Sequence, residues 1–297
     1  MNPHRISVTA AKPRKTAVLT ALASLALAGL ACSVLFGPDE TTPESPSLPV
    51  DPTQTATLAG DVPPGLATEA VSGVEIECGG VSLILPPSLA AGAICESITA
   101  VPESDSVAPW DVGPEHVRLT LEGYLLPETF HLPRIYVYPA AEFTAMNETA
   151  GGVIDRLRSF LVSPPATFER GIPFLPPFNA AQMLRAQVRF VDFQEGSGVR
   201  FLTLYGQAYR IVNNHELFYT FQGLTHDDAY YVAAILPVSH PNLPAQGDIP
   251  PDEFEAFAED FDGHIAASEA ALNGYPDESF MPDLSLLDAL LGGLQIE

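Results

Sequence analysis

Two polar clusters, His215-Glu216 and His226-Asp227-Asp228, offer the imidazole nitrogens and carboxylate oxygens that suit a zinc ion. They bracket an apolar run that is predicted to form one arm of a hairpin, and His215, His226 and Asp227 could be brought together at one end of it. Asn, His and Asp are also the residues that turns select, and no spacing here defines four ligands. They stand as weak metal candidates, and no cofactor is expected. A calcium loop is imitated further on, where Asp260, Asp262, Ile265 and Glu269 fall at the third, fifth, eighth and twelfth positions of an EF-hand. Ala258 occupies the first ligand position, and Phe254, Phe257 and Phe261 carry helical spacing through the would-be loop, so a helix is predicted instead.

Nucleophilic and phosphate chemistry lack their signatures, since the chain contains no G-x-S-x-G, no H-E-x-x-H and no P-loop. Gly196-Ser197-Gly198 is too short for a nucleophile elbow and reads as a hairpin turn, which assigns no catalytic residue. Paired carboxylates for glycoside hydrolysis can be found in any chain with 37 acids, so their presence decides nothing. Arg189, Arg200, Tyr205, Tyr219 and Tyr231, with Tyr209 and Tyr230 nearby in sequence, could form an aromatic and cationic sheet face suited to an anionic or sugar ligand. The alternative, which charge complementarity favours, packs these side chains beneath an acidic terminal helix.

The charge balance excludes a partner class. Among 297 residues, 13 Lys and Arg stand against 37 Asp and Glu, a formal charge of −24, and a nucleic-acid binder needs the opposite footprint. Four of the 13 cations precede Cys32, leaving nine, all arginine; against 37 acids, every one after Cys32, the remainder carries −28. Schiff-base and lysine general-base mechanisms are thereby excluded from it. The final 50 residues, from Asp248, hold 13 acids and no Lys or Arg, whereas Arg185, Arg189, Arg200 and Arg210 make one locally basic segment.

The amino terminus sets an address. Residues 2–15 are basic, Thr16 to Ala31 is almost entirely apolar, and Ala28-Gly29-Leu30-Ala31 then leads into Cys32. This run resembles the lipobox of bacterial lipoproteins, although Gly29 stands where that family prefers an aliphatic residue. The resemblance implies a signal peptide over 1–31, cleavage before Cys32, lipid on that cysteine, and a location on the extracytoplasmic side of the cell membrane. An uncleaved anchor is the alternative, because Thr16 to Phe36 could cross ~30 Å of hydrocarbon at ~1.5 Å per residue. Residues 32–69 are rich in Pro, Thr, Ser and Asp and read as a tether. In an oxidising compartment Cys78 and Cys95, 17 residues apart, would form a disulfide; two thiols or a metal pair are the alternatives.

The elements that would position these residues follow from periodicity. Strands are predicted over 74–77, 81–85, 116–122 and 134–138, the first two joined at Gly79-Gly80. Helical spacing predicts a helix over 150–162, stopped by Pro164-Pro165, and 168–178 reads as a proline-broken loop packed on its own core. Two hairpins follow, 185–205 turning at Glu195 to Gly198 and 217–238 turning at Thr225 to Asp228, with the last strand central because both its faces are apolar. A helix from Pro251 to Asn273 is predicted to bury Phe254, Phe257 and Phe261 on the hairpin sheet with acids near Arg189 or Arg200, and a short leucine helix follows it.

These elements predict an α+β fold, a mainly antiparallel sheet built from hairpins over 70–248, packed with a mid-chain helix and acidic C-terminal helices over 249–297. Their order over residues 74–272 resembles the PsbP and Mog1 family, which implies a fold and no function. The expected role is a membrane-tethered, extracytoplasmic binding or assembly module for an envelope protein or small ligand. A cell-envelope hydrolase with an unrecognised carboxylate pair is the alternative.

Overall fold

The computed structural model describes residues 73–168 and 171–297; the predicted signal peptide, Cys32 and the tether lie outside the described residues. In chain order the elements are β1 (Val74–Cys78), β2 (Val81–Leu85), β3 (Gly92–Ile98), β4 (His116–Glu122), β5 (Arg134–Pro139), α1 (Ala140–Met146) and α2 (Glu148–Val162). They continue with β6 (Ala181–Gln182), β7 (Ala186–Phe193), β8 (Gly196–Thr203), β9 (Tyr205–Gly206), β10 (Phe218–Thr225), β11 (Tyr230–Pro237), α3 (Phe254–Glu259), α4 (Phe261–Asn273), α5 (Leu284–Gly292) and β12 (Gln295–Ile296). Seven strands pair in the order β3-β4-β5-β11-β10-β8-β7, antiparallel throughout, while β1, β2 and β12 form a small sheet and β6 pairs with β9. The fold is α+β, as the pattern of elements predicts. Among the described residues no helix is long and apolar enough to cross a membrane.

Strand alternation divides the core into two layers. Tyr231, Ala233 and Ile235 of β11 face a cluster with Phe143 of α1 and Ile154 and Leu157 of α2, whereas Val232, Ala234 and Leu236 face β2 and the leucines of α5. Being covered on both faces is what makes β11 apolar at every position and central in the sheet. A Cys78–Cys95 disulfide ties β1 to β3, so the small sheet is stapled to one edge of the large one.

Several elements depart from the sequence reading. The turn of the first hairpin is Gln194-Glu195, and Gly196 to Gly198 begin β8. Those glycines serve close approach, because a Cβ on Gly196 would run into the Leu224 carbonyl oxygen and one on Gly198 into the Phe221 ring. The mid-chain helix starts at Glu148 and follows the separate helix α1. Strand β3, unanticipated, is an edge strand with little burial and hence no alternation to read.

The terminal helix differs most. It breaks at Asp260 into α3 and α4; Phe254 is exposed, Phe257 and Phe261 are half-buried, and they gather around Tyr209 and His264. The face that periodicity assigns to them is filled by Leu284, Leu287, Leu290 and Leu291 of α5, with Ile265 and Leu272 of α4. Short α5 wins because four of its nine residues are buried leucines, each worth ~1.5–3 kcal/mol.

Candidate functional site

The five residues of the predicted ligand face are not brought together. In the β8–β10 register Arg200 pairs with Phe221 and Leu202 with Tyr219, which places Arg200 and Tyr219 on the α5 side, while Leu224 pairs with Tyr231 on the opposite side. Arg200 is wholly buried. Its Nη1 donates to the Gln187 carbonyl at 2.6 Å, its Nη2 lies 3.3 Å from Asp277, and its Nε lies 3.3 Å from Asp288 as an ion pair without hydrogen-bond alignment. Arg189 donates to Asp277 at 2.5 and 3.1 Å, and the Tyr219 hydroxyl donates to Asp288 at 3.0 Å. Two acids of the terminal segment therefore take up the Arg189 and Arg200 charges, as charge complementarity requires. Arg185 likewise pairs with Glu269, and Arg210 with Glu216 and Asp248, so the basic segment presents no unpaired arginine.

The metal candidates separate as well. His215 precedes β10 and His226 follows it, so they stand at opposite ends of an eight-residue strand that spans roughly 23 Å at ~3.3 Å per residue. Asp227 closes the turn, accepting from the Thr225 hydroxyl at 2.7 Å and from the Ala229 amide at 3.0 Å; these bonds hold its carboxyl below the usual range. Among the described residues no group of three or more His, Cys, Asp or Glu is arranged to hold a metal ion. The EF-hand imitation is mostly helix, with the His264 amide donating to the Asp260 carbonyl at 3.0 Å.

What the fold assembles instead is an open groove of about 740 Å³ at the sheet end where β5 and β10 begin and β8 finishes. Three of the connections that line it are each pinned by hydrogen bonds, and residues 207–216 form a fourth. Trp110 lies between β3 and β4; the Asn147 side chain caps α2 by accepting from Ala150, and its Nδ2 donates to the Pro109 and Val112 carbonyls at 3.0 Å each. One asparagine thus starts a helix and fixes the loop around the tryptophan. Phe130 and His131 lie between β4 and β5, where the Phe130 amide donates to the His215 carbonyl at 2.8 Å. Residues 176–180 follow Leu175, whose amide donates to Gln222 Oε1 at 2.8 Å; the buried Tyr231 hydroxyl donates to the same oxygen at 2.6 Å. Tyr231, predicted to touch ligand, positions a wall of the groove from beneath.

The groove is aromatic, and its buried ionisable groups are satisfied within the fold. His131 stacks on Phe178 at 5.4 Å with an interplanar angle of 4° and meets Phe218 edge-on at 4.5 Å. Burial, followed by the nearby His215 charge, pushes the His131 imidazole down to about 4, so it is neutral at physiological pH. Tyr205 packs against Phe174 and Phe178, its hydroxyl accepts from Gln182 at 3.0 Å, and burial raises its ionisation well above the ordinary tyrosine range. Buried Glu216 accepts from Asn213 Nδ2 at 2.7 Å and lies 3.1 Å from Arg210 Nε, which leaves it a structural carboxylate. At the rim Trp110 is 41% exposed and Phe130 is 63% exposed.

Of the predicted face, only Tyr205 lines this groove. Motif and periodicity do not single out Trp110, Phe130, His131 or Phe178. The sequence holds one signal for them: the chain's sole tryptophan sits in a Pro- and Asp-rich loop, where no core would require it. No family model, curated protein or solved structure matches the chain.

Proposed function

We propose that the protein is a membrane-tethered, extracytoplasmic binding module, anchored by lipid on Cys32, whose aromatic groove holds a small ligand without transforming it. The observation that carries this reading is the state of the groove's ionisable groups. Glu216 is held by Arg210 and Asn213, His131 is neutral and packed among rings, and Tyr205 is kept protonated, while Trp110 and Phe130 are exposed aromatics in the lining. Such a lining supplies contact area and orientation, and it offers no poised acid and base. Support for the location comes from the lipobox-like run and from the Cys78–Cys95 disulfide, which persists in oxidising compartments.

Two measurements test the proposal. Labelled palmitate should enter the wild-type protein and not Cys32→Ser; absence of label in the wild type refutes the anchor. A thermal-shift screen of small molecules should return ligands whose stabilisation is reduced in Trp110→Ala, recovered unchanged after overnight incubation. A hit that is cleaved by wild type would instead favour an envelope hydrolase.

A further inference from the structure

We propose that the groove takes an uncharged oligosaccharide, with Trp110 and Phe130 as platforms for successive sugar rings; this rests on the groove being the ligand site. A pyranose ring has apolar C–H faces and a girdle of hydroxyls, so it needs flat apolar surfaces beside hydrogen-bonding groups. The rim provides both. Trp110 and Phe130 are exposed aromatics, and Asp111, Asn179 and Gln207 also line the groove. Gln207 Nε2 donates to the Asn179 carbonyl, while its Oε1 and the Asn179 side-chain amide have no hydrogen-bond partner among the described residues. An acyl chain would leave those polar groups unpaired in a covered groove, at a cost a hydroxyl-rich ligand avoids.

Charge decides against ionic ligands. The one cationic lining residue, Arg210, lies 3.1 Å from Glu216 and 3.5 Å from Asp248, Asp111 adds a negative charge, and the whole chain carries −24. An anionic sugar would meet repulsion from near and far. A quaternary ammonium calls for several ring faces within ~6 Å of one point. Here Phe130, His131, Phe178 and Tyr205 pack on one another or on neighbouring rings, while Trp110 makes no ring contact among the described residues. Trp110 and Phe130 make no ring contact with each other among the described residues, which suits a chain of rings better than a single cation.

Because Trp110 is the only tryptophan, its fluorescence reports on this rim alone. The purified full-length chain would be titrated with tetrasaccharides of β-1,4-glucose, β-1,4-N-acetylglucosamine and α-1,4-glucose. At least one should give a saturable emission change whose affinity is insensitive to NaCl, is weakened tenfold or more in Phe130→Ala, and is retained in Phe190→Ala on β7. Phe130 anchors its loop through a backbone amide that alanine keeps, so the variant should fold; Asn179→Ala gives a second, exposed position at which affinity should fall. If the saccharides are silent while tetramethylammonium or 1-anilinonaphthalene-8-sulfonate gives a saturable response lost in Phe130→Ala, the groove stands as a ligand site and the sugar assignment is overturned. Silence from every probe overturns both.

Discussion

Replacing Arg200 by Met tests whether the terminal segment is locked by charge as well as by leucine. The side chain is wholly buried between Asp277, Asp288 and the Gln187 carbonyl, and Met fills most of its volume without a charge. Removing one partner of a buried pair costs ~3–5 kcal/mol. The low end applies, because Asp277 keeps Arg189, Asp288 keeps the Tyr219 hydroxyl, and the two carboxylate side chains retain 13% and 21% exposure. About 3 kcal/mol in a domain of this length corresponds to a melting-temperature drop of roughly 6–12 °C. The deficit should also depend on pH. Burial already holds the Asp288 carboxyl above its usual range against the pull of Arg200. A carboxyl raised on folding leaves the folded state binding more protons, so stability falls as pH rises from the ordinary carboxylate range through the raised value. Without Arg200 the rise is larger, and the variant's deficit should be greater at pH 7 than at pH 4. Asp288→Asn combined with Arg200→Met should recover part of the loss. Denaturant unfolding at the two pH values measures this; a deficit below ~1 kcal/mol at pH 7, or one that grows as pH falls, would refute a buried, desolvated pair.

Asn147→Ala removes the α2 cap and both bonds to the Trp110 loop, so the domain should lose ~1–2 kcal/mol and Trp110 emission should shift red before any unfolding. His131→Phe keeps the stack on Phe178 and removes a titration. Since folded His131 is held to about 4 against ~6.5 unfolded, the unfolded chain takes the proton first and wild type loses stability as pH falls through that window. The variant's melting temperature should therefore fall less between pH 7 and pH 4.5, as read by calorimetry. Leu287→Ala should cost ~2–5 kcal/mol and Phe254→Ser under ~0.5 kcal/mol, although helical periodicity predicts Phe254 to be buried. Equal losses at the two positions would mean that α3 carries the core.

The fold class was legible because it depends on local periodicity. Period-two alternation marked β4 and β5, the doubly apolar run 229–238 marked a covered central strand, and Gly79-Gly80 marked a turn, which the structure makes with φ of 55° and 82°. Cys78 and Cys95 could be paired by arithmetic, since only two cysteines follow Cys32. That some C-terminal acids would seek Arg189 and Arg200 followed from charge alone, yet the choice of Asp277 and Asp288 among 13 acids did not. Register made that choice. It put Arg200 and Tyr219 beneath α5, sent Tyr231 to the other face, and spaced His215 from His226 by a whole strand. The groove was illegible for the same reason: Phe130, His131 and Phe178 come from connections gathered where β5 and β10 begin, whereas the Trp110 loop joins β3 to β4 at the other end of the sheet and reaches the groove only through tertiary packing. Sequence patterns report which residues face one way along an element; which elements end side by side is set by strand pairing and core filling, through contacts between residues far apart in the chain.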